Sequence, residues 1–234
     1  MYRARKIADP SLTVALKHIC KRRLSQNEAR TLAHEFEILR VLRHPNLVRY
    51  FDVFESPIEI CYVAEMCRGK TLFDVVAMSP RGRLSEKFAI EILRVLLEAV
   101  EYIHAAGIVH RDLKTENILL ETSVDQQRVL SLKIIDFGFA DYVEHAREQR
   151  LICGTIYYMA PESLRGEVSY KADVYALGII FFFMLTGTLP FTDKDPKLVA
   201  RCIETISSAS FENPLLSATS KEATGLLLQM TRRI

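Results

Sequence analysis

The chain has 234 residues, of which 49% are hydrophobic and 26% charged, with a formal net charge of +2. That hydrophobicity excludes a disordered chain, and the length suits one large domain or two small lobes sharing a cleft. A net charge so near zero argues against a nucleic-acid footprint or a membrane-surface role.

The first stretch reads as strands. Tyr2–Ile7 and the β-branched run Thr13–Ile19 flank a turn signal at Asp9-Pro10-Ser11, which predicts a hairpin with Lys17 near its far end. The basic run Lys21-Arg22-Arg23 reads as a solvated face. Ser25 with Glu28 three residues on makes a capping box, and Leu32, Phe36, Leu39 and Leu42 recur at helical spacing until His44-Pro45-Asn46 stops them. Two strands follow, Leu47–Phe54 and Ile58–Ala64, with Ser56-Pro57 between them. Glu65-Met66-Cys67-Arg68-Gly69 reads as the connection to a second, mostly helical part.

That part opens with Ser85 as an N-cap. Ile92, Leu93, Leu96, Leu97, Val100 and Ile103 form the apolar stripe of a long helix that Gly107 ends. Ile118–Leu120 and Leu132–Ile135 predict a strand pair around a polar loop, and a long irregular region runs from Asp136 to about Lys171. Helices resume at Ala172–Thr186, Pro196–Ile206 and Lys221–Arg233. The most apolar run, Val174–Leu185, is shorter than the roughly 20 residues that cross a bilayer, so a buried core helix is expected. Neither an internal repeat nor a low-complexity segment is visible. Five cysteines (Cys20, Cys61, Cys67, Cys153 and Cys202) show no metal-ligand spacing, and Tyr2–Lys6 leads into no apolar stretch of the kind a secretory signal needs. Free thiols in a reducing, cytoplasmic compartment are expected, with the nucleus also open.

Polar groups concentrate between apolar strands at three places. His110–Asn117 runs straight into Ile118-Leu119-Leu120, Asp136-Phe137-Gly138 follows Leu132–Ile135, and Lys17 ends an apolar strand. A carboxylate at the tip of a buried strand can hold a divalent cation, Asn117 can add an oxygen, and a lysine can neutralise phosphate charge. This set suits phosphoryl transfer, where catalysis is largely positioning and electrostatic stabilisation.

On these residues the chain resembles the eukaryotic protein kinases of serine/threonine type over essentially its whole length. Val14-Ala15-Leu16-Lys17, His44-Pro45-Asn46, His110-Arg111-Asp112-Leu113-Lys114-Thr115-Glu116-Asn117, Asp136-Phe137-Gly138 and Ala160-Pro161-Glu162 occur in the family's order and spacing. The resemblance implies an α+β, bilobal kinase fold: an antiparallel-sheet N-lobe at 1–64, a hinge at 65–69 and a helical C-lobe at 70–234. It implies ATP and Mg2+ as cofactors and protein substrates with Ser/Thr acceptors, with no nucleic acid and no membrane segment.

The roles follow position by position. Lys17 would hold the α- and β-phosphates and pair with Glu35. Asp112 would accept the substrate hydroxyl's proton, and Asn117 and Asp136 would hold magnesium. Lys114, with Thr155, goes with serine/threonine specificity. Ala15 and Leu119 would sandwich adenine, Glu65 and Cys67 would meet its edge, and Ala64 would gate the rear of its pocket. Phe137, Gly138, Thr155, Ala160, Pro161 and Glu162 belong to the activation segment. His110, Arg111 and Asp173 would brace the catalytic loop. The style of these loops resembles the calcium/calmodulin-dependent and Unc-51-like groups.

Three departures stand out. The family's glycine-rich loop and first strand are absent, which reads either as a fragment cut at both ends or as a natural variant such as a kinase-like scaffold with little phosphotransfer. Glu162 is expected to lack its usual arginine unless Arg232 or Arg233 substitutes. Between Asp136 and Gly154 there is no Ser or Thr, and Tyr142 carries the one hydroxyl. Glu144 or Glu148 is therefore expected to supply the negative charge that loop phosphorylation otherwise brings to Arg111.

Overall fold

The computed structural model describes residues 2–6, 9–23, 37–122 and 128–232. Its first layer is an antiparallel sheet built from β1 (Tyr2–Lys6), β2 (Asp9–Cys20), β3 (Tyr50–Glu55) and β4 (Glu59–Glu65), in the order β1-β2-β4-β3. The strand β2 already includes Asp9-Pro10-Ser11, where a turn was expected. Lys6 lies opposite Asp9, so the reversal is tighter than the proline suggested. Ala15 pairs with Ala64 and Lys17 with Tyr62 across β2 and β4. Tyr50 and Tyr62 meet edge to face on the buried side, with ring centres 6.1 Å apart.

Residues 37–41 are helical, with Ile38, Leu39 and Leu42 buried. The expected capping box at Ser25 and Glu28, with Leu32 and Phe36, lies outside the described residues. Leu47 does not enter the next strand. It forms a parallel bridge to Ile134, and Asn46 clasps the same strand, its Nδ2 donating to the Leu132 carbonyl at 3.0 Å.

After residues 65–69 come β5 (Lys70–Thr71) and a short helix α1 (Leu72–Ala77), capped by Thr71. The long helix α2 (Glu86–Ala105) starts where its Ser85 cap predicts, with that side chain accepting from the Phe88 N–H. Two-residue strands β6 (Ile108–Val109) and β9 (Asp141–Tyr142) pair with each other, and β7 (Ile118–Thr122) pairs with β8 (Val129–Ile134). Within the stretch expected to be irregular, α3 (Val143–Gln149) is helical. The helices α4 (Tyr170–Thr186), α5 (Pro196–Glu204) and α6 (Lys221–Met230) complete the larger lobe. From Tyr175 to Thr186 every residue of α4 is buried, so it forms the axis on which the lobe packs. Gly178 lets α6 approach: a β-carbon there would fall within 3.0 Å of the Thr231 methyl. No helix among the described residues is long and apolar enough to cross a membrane.

Candidate active site

The segment His110–Asn117 bridges β6 and β7, and its shape is set from beneath by Asp173 on α4. This carboxylate, 2% exposed, accepts the backbone N–H of His110 at 2.9 Å and of Arg111 at 3.0 Å, and His104 Nε2 lies 2.8 Å away. Burial pushes the Asp173 pKa up. The His104 hydrogen bond, the neighbouring imidazoles and the His110 N–H outweigh it and bring the net displacement down. Arg111, gripped this way, sits at φ 65°, a left-handed conformation uncommon outside glycine. His110 is fully buried, and its Nδ1 accepts the Asp112 N–H at 3.3 Å. Burial lowers its pKa, which keeps the ring neutral with the proton on Nε2. Its ring lies 4.9 Å from that of the fully buried Phe137.

Asp112 receives donors on both oxygens. Its Oδ1 accepts the Thr155 N–H at 2.8 Å and the Thr155 hydroxyl at 2.7 Å. Its Oδ2 accepts Lys114 Nζ at 2.7 Å and Asn117 Nδ2 at 3.2 Å. Lys114 also donates to the Thr155 hydroxyl at 2.8 Å, which closes a ring of three side chains. Thr155 and Asp112 lie 43 residues apart in the chain. The two segments can approach this closely because Gly154, at φ 101°, has no side chain: a β-carbon there would stand under 3.0 Å from the Arg111 carbonyl oxygen.

Across the cleft, Lys17 Nζ lies 3.7 Å from Asp136 Oδ1, which also accepts the Gly138 N–H at 3.2 Å. The expected partner Glu35 lies outside the described residues. Ala15 and Ala64 are buried, and Leu119, half-buried, sits on β7 opposite Lys133. At the hinge, the Glu65 N–H is taken by the Arg49 carbonyl at 2.7 Å, and the Cys67 N–H donates to the Glu65 carbonyl at 3.1 Å. Burial, with the nearby Glu65 charge, pushes the Cys67 thiol up to about 11.

In the activation segment, Ala160, Pro161 and Glu162 are buried. Among the described residues no ion pair reaches Glu162. Arg232 is exposed and Arg233 lies outside them, so the substitute expected from Arg232 is not formed. The Tyr175 hydroxyl is buried without a partner among the described residues, and burial with the Glu162 charge raises its pKa. The acid meeting Arg111 is neither Glu144 nor Glu148. Glu144 pairs with Arg147 at 2.9 Å, Glu148 is exposed, and Asp141 Oδ2 takes Arg111 Nη2 at 3.3 Å. The reason is positional: β9 pairs Asp141 with Val109, two residues before Arg111, whereas α3 carries the glutamates away.

Asn117 commits its Nδ2 to the Asp112 carbonyl and carboxylate, which leaves Oδ1 for a cation. Asn117 and Asp136 carry hard oxygen donors of the kind magnesium takes while keeping water and phosphate as its remaining ligands. The described residues hold no group of three or more His, Cys, Asp or Glu that could form a self-sufficient metal centre.

Several participants had no sequence signal of their own. Lys133 on β8 donates to Glu65 at 2.7 Å and so ties the hinge to the strand leading to Asp136. The Tyr158 hydroxyl lies 2.8 Å from the Thr115 hydroxyl, and burial pushes it up to about 12. Asp141 could have been found as the acid three residues after Gly138 in a segment short of hydroxyls.

The family model described as the protein kinase domain matches residues 2–233. CDPK-related kinase 4 of Arabidopsis thaliana is 33% identical over 236 residues, covering 99% of this chain and 39% of that protein. Calcium/calmodulin-dependent protein kinase type 1 of Macrobrachium nipponense is 35% identical over 224 residues, covering 95% and 62%. The human calcium/calmodulin-dependent protein kinase type IV is 40% identical over 181 residues, covering 77% and 36%. The chain thus spans less than two thirds of the length of these relatives.

Proposed function

The chain belongs to the protein kinase domain family, and on that premise we propose that it transfers the γ-phosphate of ATP, with magnesium, to serine or threonine hydroxyls of protein substrates. The observation that carries this reading is the closed ring of Asp112, Lys114 and Thr155. It fixes a carboxylate and an ammonium side by side, the pair an incoming hydroxyl would need.

In this reading the substrate hydroxyl approaches Asp112. Its oxygen forms a bond to the γ-phosphorus, the bond from that phosphorus to the β–γ bridging oxygen breaks, and the proton passes to the Asp112 carboxylate. Lys114 offsets charge on the transferring group, and Lys17 that on the α- and β-phosphates. Asn117 and Asp136 would hold the magnesium ion, which when bound draws charge from the phosphate oxygens. Ala15 and Leu119 would enclose adenine, with Ala64 behind it and the Glu65–Cys67 backbone at its edge. The lobes divide at a hinge over 65–69, and a reducing cytoplasmic setting suits the five free thiols.

The test is phosphotransfer from labelled ATP to a generic protein acceptor, comparing the wild type with Asp112→Asn. A loss of about a hundredfold or more is expected for removing a catalytic base. Equal signals would overturn the reading and leave a kinase-like binding protein.

A further inference from the structure

The segment between Asp136 and Gly154 has no serine or threonine, yet its first half is anchored. Its β9 pairs with β6, and Val143 and Ala146 of α3 are buried against Val109, with Val168 and Tyr170 packed alongside. The ionic contact in this region centres on Arg111, whose side chain is 12% exposed. Its Nε donates to the Phe139 carbonyl at 2.6 Å, and its Nη2 donates to Asp141 Oδ2 at 3.3 Å. Asp141 is itself 2% exposed, and His145 Nδ1 lies 2.9 and 3.0 Å from its two oxygens.

A guanidinium this deeply placed needs an anion, since a buried unpaired charge is strongly destabilising. In loops ordered by phosphorylation, the added phosphate supplies that anion. Here a carboxylate encoded in the chain occupies the position. It lies in the segment itself, and the arginine lies in the catalytic loop directly before Asp112. The Asp141–Arg111 contact therefore joins the two segments without any covalent modification.

We propose that Asp141 is a built-in counter-charge that holds the activation segment on Arg111, so that this protein sets its catalytic loop without phosphorylation of that segment. Asp141 is a positioning residue acting on Asp112 through Arg111. Its effect on turnover rests on the kinase reading above, but its effect on the segment does not. His145 adds a second donor from α3, which ties the helix to the same carboxylate. Tyr142, the single hydroxyl available, pairs in the β6–β9 ladder opposite Ile108 and is not needed as a phosphate carrier.

The test compares wild type, Asp141→Asn and Asp141→Glu after phosphatase treatment of all three. Trypsin cleavage after Arg147 and Arg150 reports the segment, and kcat against KM for ATP reports the site. Losing one charge-assisted contact corresponds to about a tenfold change. Asp141→Asn should be cut about tenfold faster, with kcat lowered by a similar factor and KM for ATP little changed, and Asp141→Glu should recover part of both. The proposal is overturned if dephosphorylated wild type loses its protection, or if Asp141→Asn is cut no faster than wild type. Faster cutting of Asp141→Asn with no phosphotransfer by any form would sink the kinase reading and leave the counter-charge standing. Hydrogen exchange of α4 monitors global folding. Should Asp141→Asn unfold, the same readings on Arg111→Lys decide. That variant keeps the charge but loses the fork that reaches both Phe139 and Asp141, so wild-type protection in it would overturn the proposal.

Discussion

Gly154 and Arg111 are in backbone contact: a β-carbon on Gly154 would fall under 3.0 Å from the Arg111 carbonyl oxygen, and Gly154 holds φ 101°. Both facts exclude any side chain there. Gly154→Ala should destabilise the fold by about 1–3 kcal/mol, the scale of a strained backbone site. It should also pull Thr155 off Asp112. Thermal unfolding together with a drop in kcat larger than that of Thr155→Ser would check this.

Ala64 is 5% exposed and sits between Ala15 on β2 and Tyr50 on β3. Its methyl is a small gate at the rear of the proposed adenine pocket, which a larger side chain would crowd. Bulky ATP-competitive inhibitors should bind the wild type and lose about a hundredfold in affinity for Ala64→Met, because overpacking a filled site typically costs about 1–3 kcal/mol. Inhibition curves for the two proteins, measured at matched ATP saturation, give the comparison.

Lys133 and Glu65 form a partly buried pair, with side chains 16% and 31% exposed. Removing one partner leaves the other uncompensated. Lys133→Met and Glu65→Gln should each destabilise by about 1 kcal/mol after allowance for screening by solvent, and the double variant should cost less than their sum. A double-mutant cycle in urea measures this coupling. Lys133 also donates to the Leu47 carbonyl at 3.4 Å, so the single lysine variant should be the more damaging of the two.

Asp173 has a lowered pKa in the fold. Its contribution to stability is therefore complete above its unfolded value of about 3.9 and is lost as pH falls through the folded value. Asp173→Asn should destabilise strongly at pH 7, and the gap between variant and wild type should close as the solution is acidified below about pH 4. Urea midpoints across that range provide the measurement.

The family was legible in the sequence because phosphoryl chemistry admits few side chains at each motif position. His110–Asn117, Asp136–Gly138 and Lys17 stand out as polar islands on apolar strands, and the fold brings Lys17 Nζ to 3.7 Å from Asp136 Oδ1. Helices with a clear cap and stripe, such as α2, were legible from Ser85 onward. The strands β6 and β9 were not, because two residues carry no periodicity. The helix α3 was hidden too: it buries Val143 and Ala146, too few residues to make a stripe. The choice of Asp141 over Glu144 and Glu148 depended on the β6–β9 register, which is a long-range property. Lys133 carries no signal of its own within a strand, and its role comes from the 2.7 Å contact that brings β8 beside Glu65.

The burial of α4 has a consequence for how this protein would fail. The His110–Asn117 segment is held in part from α4: His110 and Arg111 hang from Asp173, and Asp173 belongs to a helix buried along most of its length. Local opening of such an element requires most of the larger lobe to come apart. Heat should therefore not dull this site by degrees. The loop should keep its shape until the lobe itself melts, so that inactivation and unfolding fall on one curve.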